Sequence, residues 1–272
     1  MSNSTSANAS MSVPSAAATV QVKKLVLSSG PGAGRPAVIV PIVAKESESI
    51  RTAAAEAAAP EHVGLVDLVE WRIDHFAGLT DTETVLRELT VLQDILGDLP
   101  LLATVRTDAE GGAAAVSDRD YLDLVRSLCA SGHVDLVDIE YQRASADECI
   151  AAAHDHGVTV VASNHDFHAT PDADEIVHRL ATMESMGADI PKIAVMPQSP
   201  QDVLTLLQAT LQAAQELDSP IITMSMQGMG LASRVSGGVF GSCATFATLG
   251  EASAPGQIPA ETVSSVLRAI HG

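Results

Sequence analysis

Aromatic side chains are scarce in this chain, with one Trp, two Tyr and four Phe among 272 residues. The core must then be built from Ala, Val, Leu and Ile, which favours layered α/β packing with long aliphatic strands. Basic residues are scarce too. Fifteen Lys and Arg stand against 34 Asp and Glu, a formal net charge of −19, which argues against non-specific nucleic-acid binding and docking on anionic membranes. An anionic substrate would have to be held by local Arg or Lys against that background, so the arginines are worth following. Cys129, Cys149 and Cys243 lie far apart and form no CxxC pair, which fits buried thiols in a reducing, cytoplasmic compartment. No apolar run is long enough to span a membrane. The opening Ser/Ala/Asn/Thr stretch lacks the basic start and hydrophobic segment of a signal peptide. Residues 1–19 read as a disordered tail and 20–272 as a single domain.

What the chain does have is a repeating beat. Val20–Leu27 reads as a strand, Ser28–Pro36 as a Gly/Pro turn and Ala37–Val43 as a second strand. Further strand-like runs follow at Leu65–Glu70, Leu101–Arg106, Leu136–Glu140, Val158–Ser163, Lys192–Val195, Ile221–Ser225 and near Val239–Ser242. Between most of them lie stretches with apolar residues at helical spacing, such as Glu83–Leu96, Asp118–Ala130 and Ala173–Met186. This is the rhythm of a (β/α)8 TIM barrel with an N-terminal hairpin. A doubly wound open sheet is the alternative, because alternation does not prove closure. Gly30–Gly34 superficially suggests a dinucleotide loop but is followed by a strand instead of a helix, so it reads as a hairpin turn.

In a barrel the chemistry sits at the C-terminal strand ends. Here they carry Glu70, Arg72, Asp74 and His75, then Arg106 with Glu110 following, then Asp138 and Glu140, then Ser163 to His168, then Lys192, then Arg234 before a glycine-rich turn, Ser236-Gly-Gly. Each has a dull reading alone, a rim ion pair or a core histidine, but so many charged strand ends together read as an enzyme site. Lys192 lies in the apolar run Asp189-Ile-Pro-Lys-Ile-Ala-Val-Met-Pro197, which reads as a buried strand bounded by its two prolines. It must be paired, extend to water at a strand end, or lose its proton easily enough to attack a carbonyl. No metal is expected, since the His165/His168 and His154/His156 spacings match no zinc motif and no Cys completes a set.

Four of these segments, Glu70-Trp-Arg-Ile-Asp-His-Phe76, Ser163-Asn-His-Asp-Phe-His168, Asp189–Pro197 and Ala252-Ser-Ala-Pro-Gly-Gln257, resemble type I 3-dehydroquinate dehydratase in order and spacing. The resemblance runs from about Lys24 to Leu267. It implies a (β/α)8 fold, a homodimer, and cofactor- and metal-free dehydration of 3-dehydroquinate to 3-dehydroshikimate through a lysine imine, in aromatic-amino-acid synthesis or quinate breakdown. Lys192 matches the imine lysine, His165 the general base and acid, and Glu110 the carboxylate that orients it. Glu70, Arg72 and Arg106 match residues contacting the substrate's hydroxyls and carboxylate side. Arg234 matches the arginine that grips the carboxylate, and Ser253 and Gln257 match a loop closing over the substrate. One departure is Pro41, where a substrate-contacting serine is common; proline offers neither a hydroxyl nor an N–H there, which implies weaker or re-routed contact. Gln227-Gly-Met-Gly230 also looks more flexible than its counterparts. An imine-forming aldolase acting on a sugar phosphate and a non-catalytic quinate sensor are the competing readings. Retention of both Lys192 and His165 speaks against the sensor.

Overall fold

The computed structural model describes residues 17–30, 33–249 and 258–272. Strands β1 (Ala18–Val22) and β2 (Leu25–Ser29) pair antiparallel from Ala18↔Ser29 to Val22↔Leu25. The Val20–Leu27 run is therefore not one strand. A two-residue turn at Lys23 and Lys24 splits it, with Lys23 in the left-handed region at φ +50°. Its ammonium donates to Gly97 O and Leu99 O and pairs with Asp135 at 3.0 Å, which pins the turn against neighbouring loops. The hairpin turn expected at Gly30–Gly34 is corrected by the same finding. The strand that follows has only parallel partners, so this stretch links hairpin to barrel; Pro31 and Gly32 lie outside the described residues. Strand β1 also claims Ala18 and Thr19, which fall within the tail expected over residues 1–19.

Eight parallel strands follow, β3 (Ala37–Ile42), β4 (Leu68–Arg72), β5 (Leu101–Thr104), β6 (Leu136–Glu140), β7 (Thr159–Asp166), β8 (Ile190–Val195), β9 (Ile222–Ser225) and β10 (Ala244–Phe246). They pair in sequence order, and β10 returns beside β3. Between β9 and β10 the wall is closed by the Ile221↔Ser242 bridge and by Cys243 N–H donating to Ile221 O at 2.8 Å. The sheet is thus a closed barrel and not an open, doubly wound one.

Around it run α1 (Ser47–Ala57), α2 (Thr82–Leu96), α3 (Asp118–Ala130), α4 (Ala146–Asp155), α5 (Ala173–Ser185), α6 (Pro200–Glu216), α7 (Leu231–Phe240) and α8 (Ala260–His271). Side-chain oxygens of Asp81, Ser117 and Asp172 accept from first-turn amides of α2, α3 and α5, and Ser199 with Asp202 forms a capping box ahead of Pro200. These caps satisfy N–H groups that no helical carbonyl can reach.

Helix α7 overturns two expectations, a turn at Ser236-Gly-Gly and a strand near Val239–Ser242. The glycines are there for contact and not for a turn. A Cβ on Gly238 would lie 2.6 Å from the Pro36 ring, and one on Gly241 would lie 2.4 Å from Ala214 Cβ. Gly241 also ends the helix at φ +110°, which glycine adopts without strain. The last barrel strand begins only at Ala244.

The strands alternate faces with period two. Outward residues such as Val40, Val69, Trp71, Ala103, Val137 and Ile139 pack with α1 to α4. Inward residues of the lower layer, Ile39, Leu68, Leu102, Leu136, Val161, Ile190 and Ile222, form a separate apolar cluster with Val22 and Leu27 of the hairpin. The hairpin therefore seals the N-terminal end of the barrel. Two residues further along β4 to β8, still pointing inward, the chemistry changes to Glu70, Thr104, Asp138, Ser163 and Lys192.

Candidate active site

Above this polar layer, at the C-terminal strand ends, lies a cavity of about 450 Å³. Glu70, Arg72, Arg106, His165, Lys192 and Arg234 line it, together with Phe167, Met196, Met224, Met226 and Phe246. Seven of the nine expected site residues are thus placed, six on the cavity and Glu110 directly behind His165. Ser253 and Gln257 lie outside the described residues. Pro41 lines the mouth beside Glu70. The N–H it lacks would point toward β10, which has ended at Phe246, so a central strand tolerates proline at this point.

Lys192 is 3% exposed. It resolves into the first of its three options, since Asp138 Oδ2 accepts from Nζ at 2.9 Å and Glu70 Oε1 lies at 4.0 Å. The Phe246 ring adds a cation–π contact at 5.0 Å. Strand β8 begins one residue before Pro191, so that proline belongs to the strand instead of bounding it.

Arg106 is the hub of the buried charges. Nη2 donates to Asp138 Oδ1 at 2.6 Å, and Nη1 donates to Ser163 Oγ at 2.8 Å, Glu110 Oε2 at 3.2 Å and Glu140 Oε1 at 3.3 Å. Glu140 also accepts from the Thr107 N–H and hydroxyl. Burial alone would raise the Asp138 carboxyl, but Arg106 and then Lys192 reverse this and hold it well below the usual carboxylate range. Arg106 and Lys192 share Asp138, so loss of either one still leaves that buried carboxylate a cationic partner. Arg72 is held differently, gripped bidentately by Asp74 at 2.8 Å on both oxygens. Asp74 in turn accepts from Ala113 N–H, which ties the loop after β5 to the end of β4.

His165 lies on β7, and its Nδ1 sits 2.8 Å from Glu110 Oε2. With the proton on Nδ1, the Nε2 lone pair is left for the cavity. Burial, then Arg106 and Lys192, push the imidazole well below its ordinary value, so it rests neutral and able to accept a proton. Burial pushes Glu110 the other way, up to about 7, with Glu140 and Asp138 adding to the rise and Arg106 opposing it.

Glu110 carries a pH signature. Its folded value lies above the ordinary 4.5, so its contribution to stability is full below about 4.5 and is lost as pH rises through about 7. Gln mimics the protonated form at every pH. Glu110→Gln should therefore gain stability relative to the parent between pH 5 and 8, by roughly 3 kcal/mol in the limit, and then level off. Melting curves of both proteins across that range test it; a parallel pair would rule it out.

Asp138, Glu140 and Ser163 stood among the strand-end residues of the sequence but without an expected role. The signal was available, since pairing with a carboxylate is one of the options for a lysine inside an apolar strand, and Asp138 and Glu140 share the inward parity of β6.

The sequence model of the family described as Type I 3-dehydroquinase matches residues 38–272. The chain belongs to that family. A 3-dehydroquinate dehydratase of Escherichia coli O7:K1 (strain IAI39 / ExPEC) is 47% identical over 256 residues, covering 93% of this chain and 98% of the relative. A type I 3-dehydroquinate dehydratase structure from Clostridium difficile, solved with covalently modified comenic acid, superposes with a TM-score of 0.86 at 42% identity, over 93% of this chain and 97% of that one. The Geobacillus kaustophilus enzyme gives 0.85 at 36% identity, over 93% and 96%. The type I 3-dehydroquinase resemblance read from four motifs and the barrel expected with it are both borne out.

Proposed function

We propose that this type I 3-dehydroquinase is a hydro-lyase that converts 3-dehydroquinate to 3-dehydroshikimate through an imine on Lys192. The observation that carries the reading is that Lys192 and His165 open on one cavity, with Glu110 bonded to the far side of the imidazole. Loss of water from a β-hydroxy ketone requires a proton to leave the carbon next to the carbonyl, and the electrons left behind need a sink. A protonated imine on Lys192 provides it. Neutral His165 takes that proton at Nε2, and the imidazolium then returns it to the departing hydroxyl. Glu110 keeps the ring oriented through both steps. In this reading Glu70, Arg72 and Arg106 meet the hydroxyls and the carboxylate side, and Ser253 and Gln257 belong to a loop that closes over the ring.

Arg234 is the proposed carboxylate anchor. Arg72, Arg106 and Lys192 are each neutralised by a carboxylate, whereas Arg234 has no ion pair among the described residues, and its Nε is buried without a hydrogen bond. Burial lowers its pKa from the ordinary arginine value, so a substrate carboxylate would complete it. Arg234→Ala should raise KM by roughly 10- to 100-fold, the worth of a charged hydrogen bond, with kcat less affected. An unchanged KM would remove the anchor role.

The decisive test is incubation with 3-dehydroquinate and borohydride, followed by peptide mass mapping. An adduct on the Lys192 peptide, with parallel loss of activity, is the expected result. Dehydration without an adduct would refute the imine. Three buried free thiols support a reducing, cytoplasmic setting, and no described helix is long and apolar enough to cross a membrane. A homodimer is proposed from the family resemblance, and light scattering of the purified chain decides it.

A further inference from the structure

An amine at the end of four rotatable bonds has many directions from which to meet a carbonyl. Here one direction is fixed. Asp138 Oδ2 accepts from Lys192 Nζ at 2.9 Å. The second oxygen, Oδ1, accepts from Arg106 Nη2 and from Ser163 Oγ, both at 2.6 Å, while Arg106 Nη1 donates to the same Ser163 Oγ at 2.8 Å. Asp138 is 1% exposed and lies on β6, whose Thr104 and Val161 neighbours hold it in register. A carboxylate fixed at one oxygen by two donors has the other left to aim a third group.

We infer that Asp138 is the charge partner that aims Lys192 Nζ and stabilises the protonated imine, and so sets how much of the enzyme stands as covalent intermediate during turnover. The inference rests on the imine reading above and adds a residue to it. The ammonium of Lys192 and the ketone give a protonated imine and one water. The carbon–nitrogen bond forms, the carbonyl carbon–oxygen bond breaks, and two of the three ammonium protons leave with that oxygen. The positive charge therefore stays on nitrogen, and the one remaining N–H can still donate to Oδ2. The charge is discharged only when the neighbouring carbon gives its proton to His165, the freed pair becomes a carbon–carbon double bond, and the imine π pair moves to nitrogen. Only the protonated imine draws electrons in this way, so a fixed counterion at nitrogen favours the state from which the carbon acid reacts. A bystander ion pair would affect stability without changing the share of enzyme present as imine.

The experiment quenches the full-length enzyme with borohydride during turnover at saturating 3-dehydroquinate and counts, by intact mass, the share of chains carrying the adduct. Asp138→Asn keeps the shape and removes the charge. It should lower both the adduct share and kcat, the latter by about 10- to 100-fold, as expected for a lost charge-assisted hydrogen bond, with a smaller change in KM. Ser163→Ala keeps the charge but frees one side of Oδ1, and should shift the adduct share in the same direction by less. An Asp138→Asn enzyme with wild-type adduct share and kcat overturns the inference. If that variant does not fold, a wild-type adduct share in Ser163→Ala overturns it instead. Absence of any adduct in the parent enzyme would overturn the imine reading and this inference together, which separates the two failures.

Discussion

Lys192→Ala should leave a folded barrel that neither dehydrates 3-dehydroquinate nor forms a borohydride-stable adduct, with turnover down by at least the order of 10⁴-fold. The size follows from the role, because no other amine among the described residues lines the cavity to form the imine. Folding should survive for a reason visible in the contacts. Truncation removes one partner of Asp138 but leaves Arg106 and Ser163 on its other oxygen at 2.6 Å, so the carboxylate is not abandoned. The stability loss should then fall at or below the lower end of the roughly 3–5 kcal/mol typical of breaking a buried pair. Lys192→Met, which keeps most of the apolar stem, should behave in the same way with a smaller stability loss. Steady-state rates with mass analysis after borohydride check both halves. Turnover near the parent rate would end the imine mechanism.

His165→Ala should separate the two halves of the chemistry. The imine needs Lys192, whereas proton removal needs the imidazole, so this variant should lose about 10²–10⁴-fold in kcat while an adduct still forms on the Lys192 peptide. Removing the ring also takes away the neutral partner of Glu110 and the face against which Phe167 stacks, with centroids 6.3 Å apart. Some loss in KM is therefore expected beside the larger loss in kcat. A variant that retained kcat, or one that lost trapping as completely as Lys192→Ala, would contradict the division of roles.

Much of this site was legible in the sequence because period-two alternation carries two messages at once. Leu136, Asp138 and Glu140 point the same way, so an apolar lower layer and a charged upper one are written in a single strand. The Lys192 segment gave the same kind of signal, an ion where only an aliphatic would be comfortable. What the sequence concealed were consequences of long-range contact. Lys192 and Asp138 lie 54 positions apart, and no local pattern couples them. Strand β7 runs on to Asp166 because β8 pairs with it through Val195, which places His165 within the strand and not after it. Ser236-Gly-Gly reads as a turn by composition, but Pro36 and Ala214 crowd the glycines of α7 and its end from other parts of the chain. Lys23 and Lys24 interrupt an apolar run too briefly to announce a hairpin, and distant partners of Lys23, the carbonyls of Gly97 and Leu99 and the Asp135 carboxylate, make the turn worthwhile.

That hairpin also bears on traffic. Val22 and Leu27 close the lower end of the barrel against Leu68, Leu102 and Leu136, and the cavity opens at the opposite end. Among the described residues the barrel is a vessel with one mouth. Substrate enters and product departs by the same route, and the two cannot pass each other there. Each catalytic cycle must therefore empty before the next can load, which makes departure of the product a necessary step between turnovers.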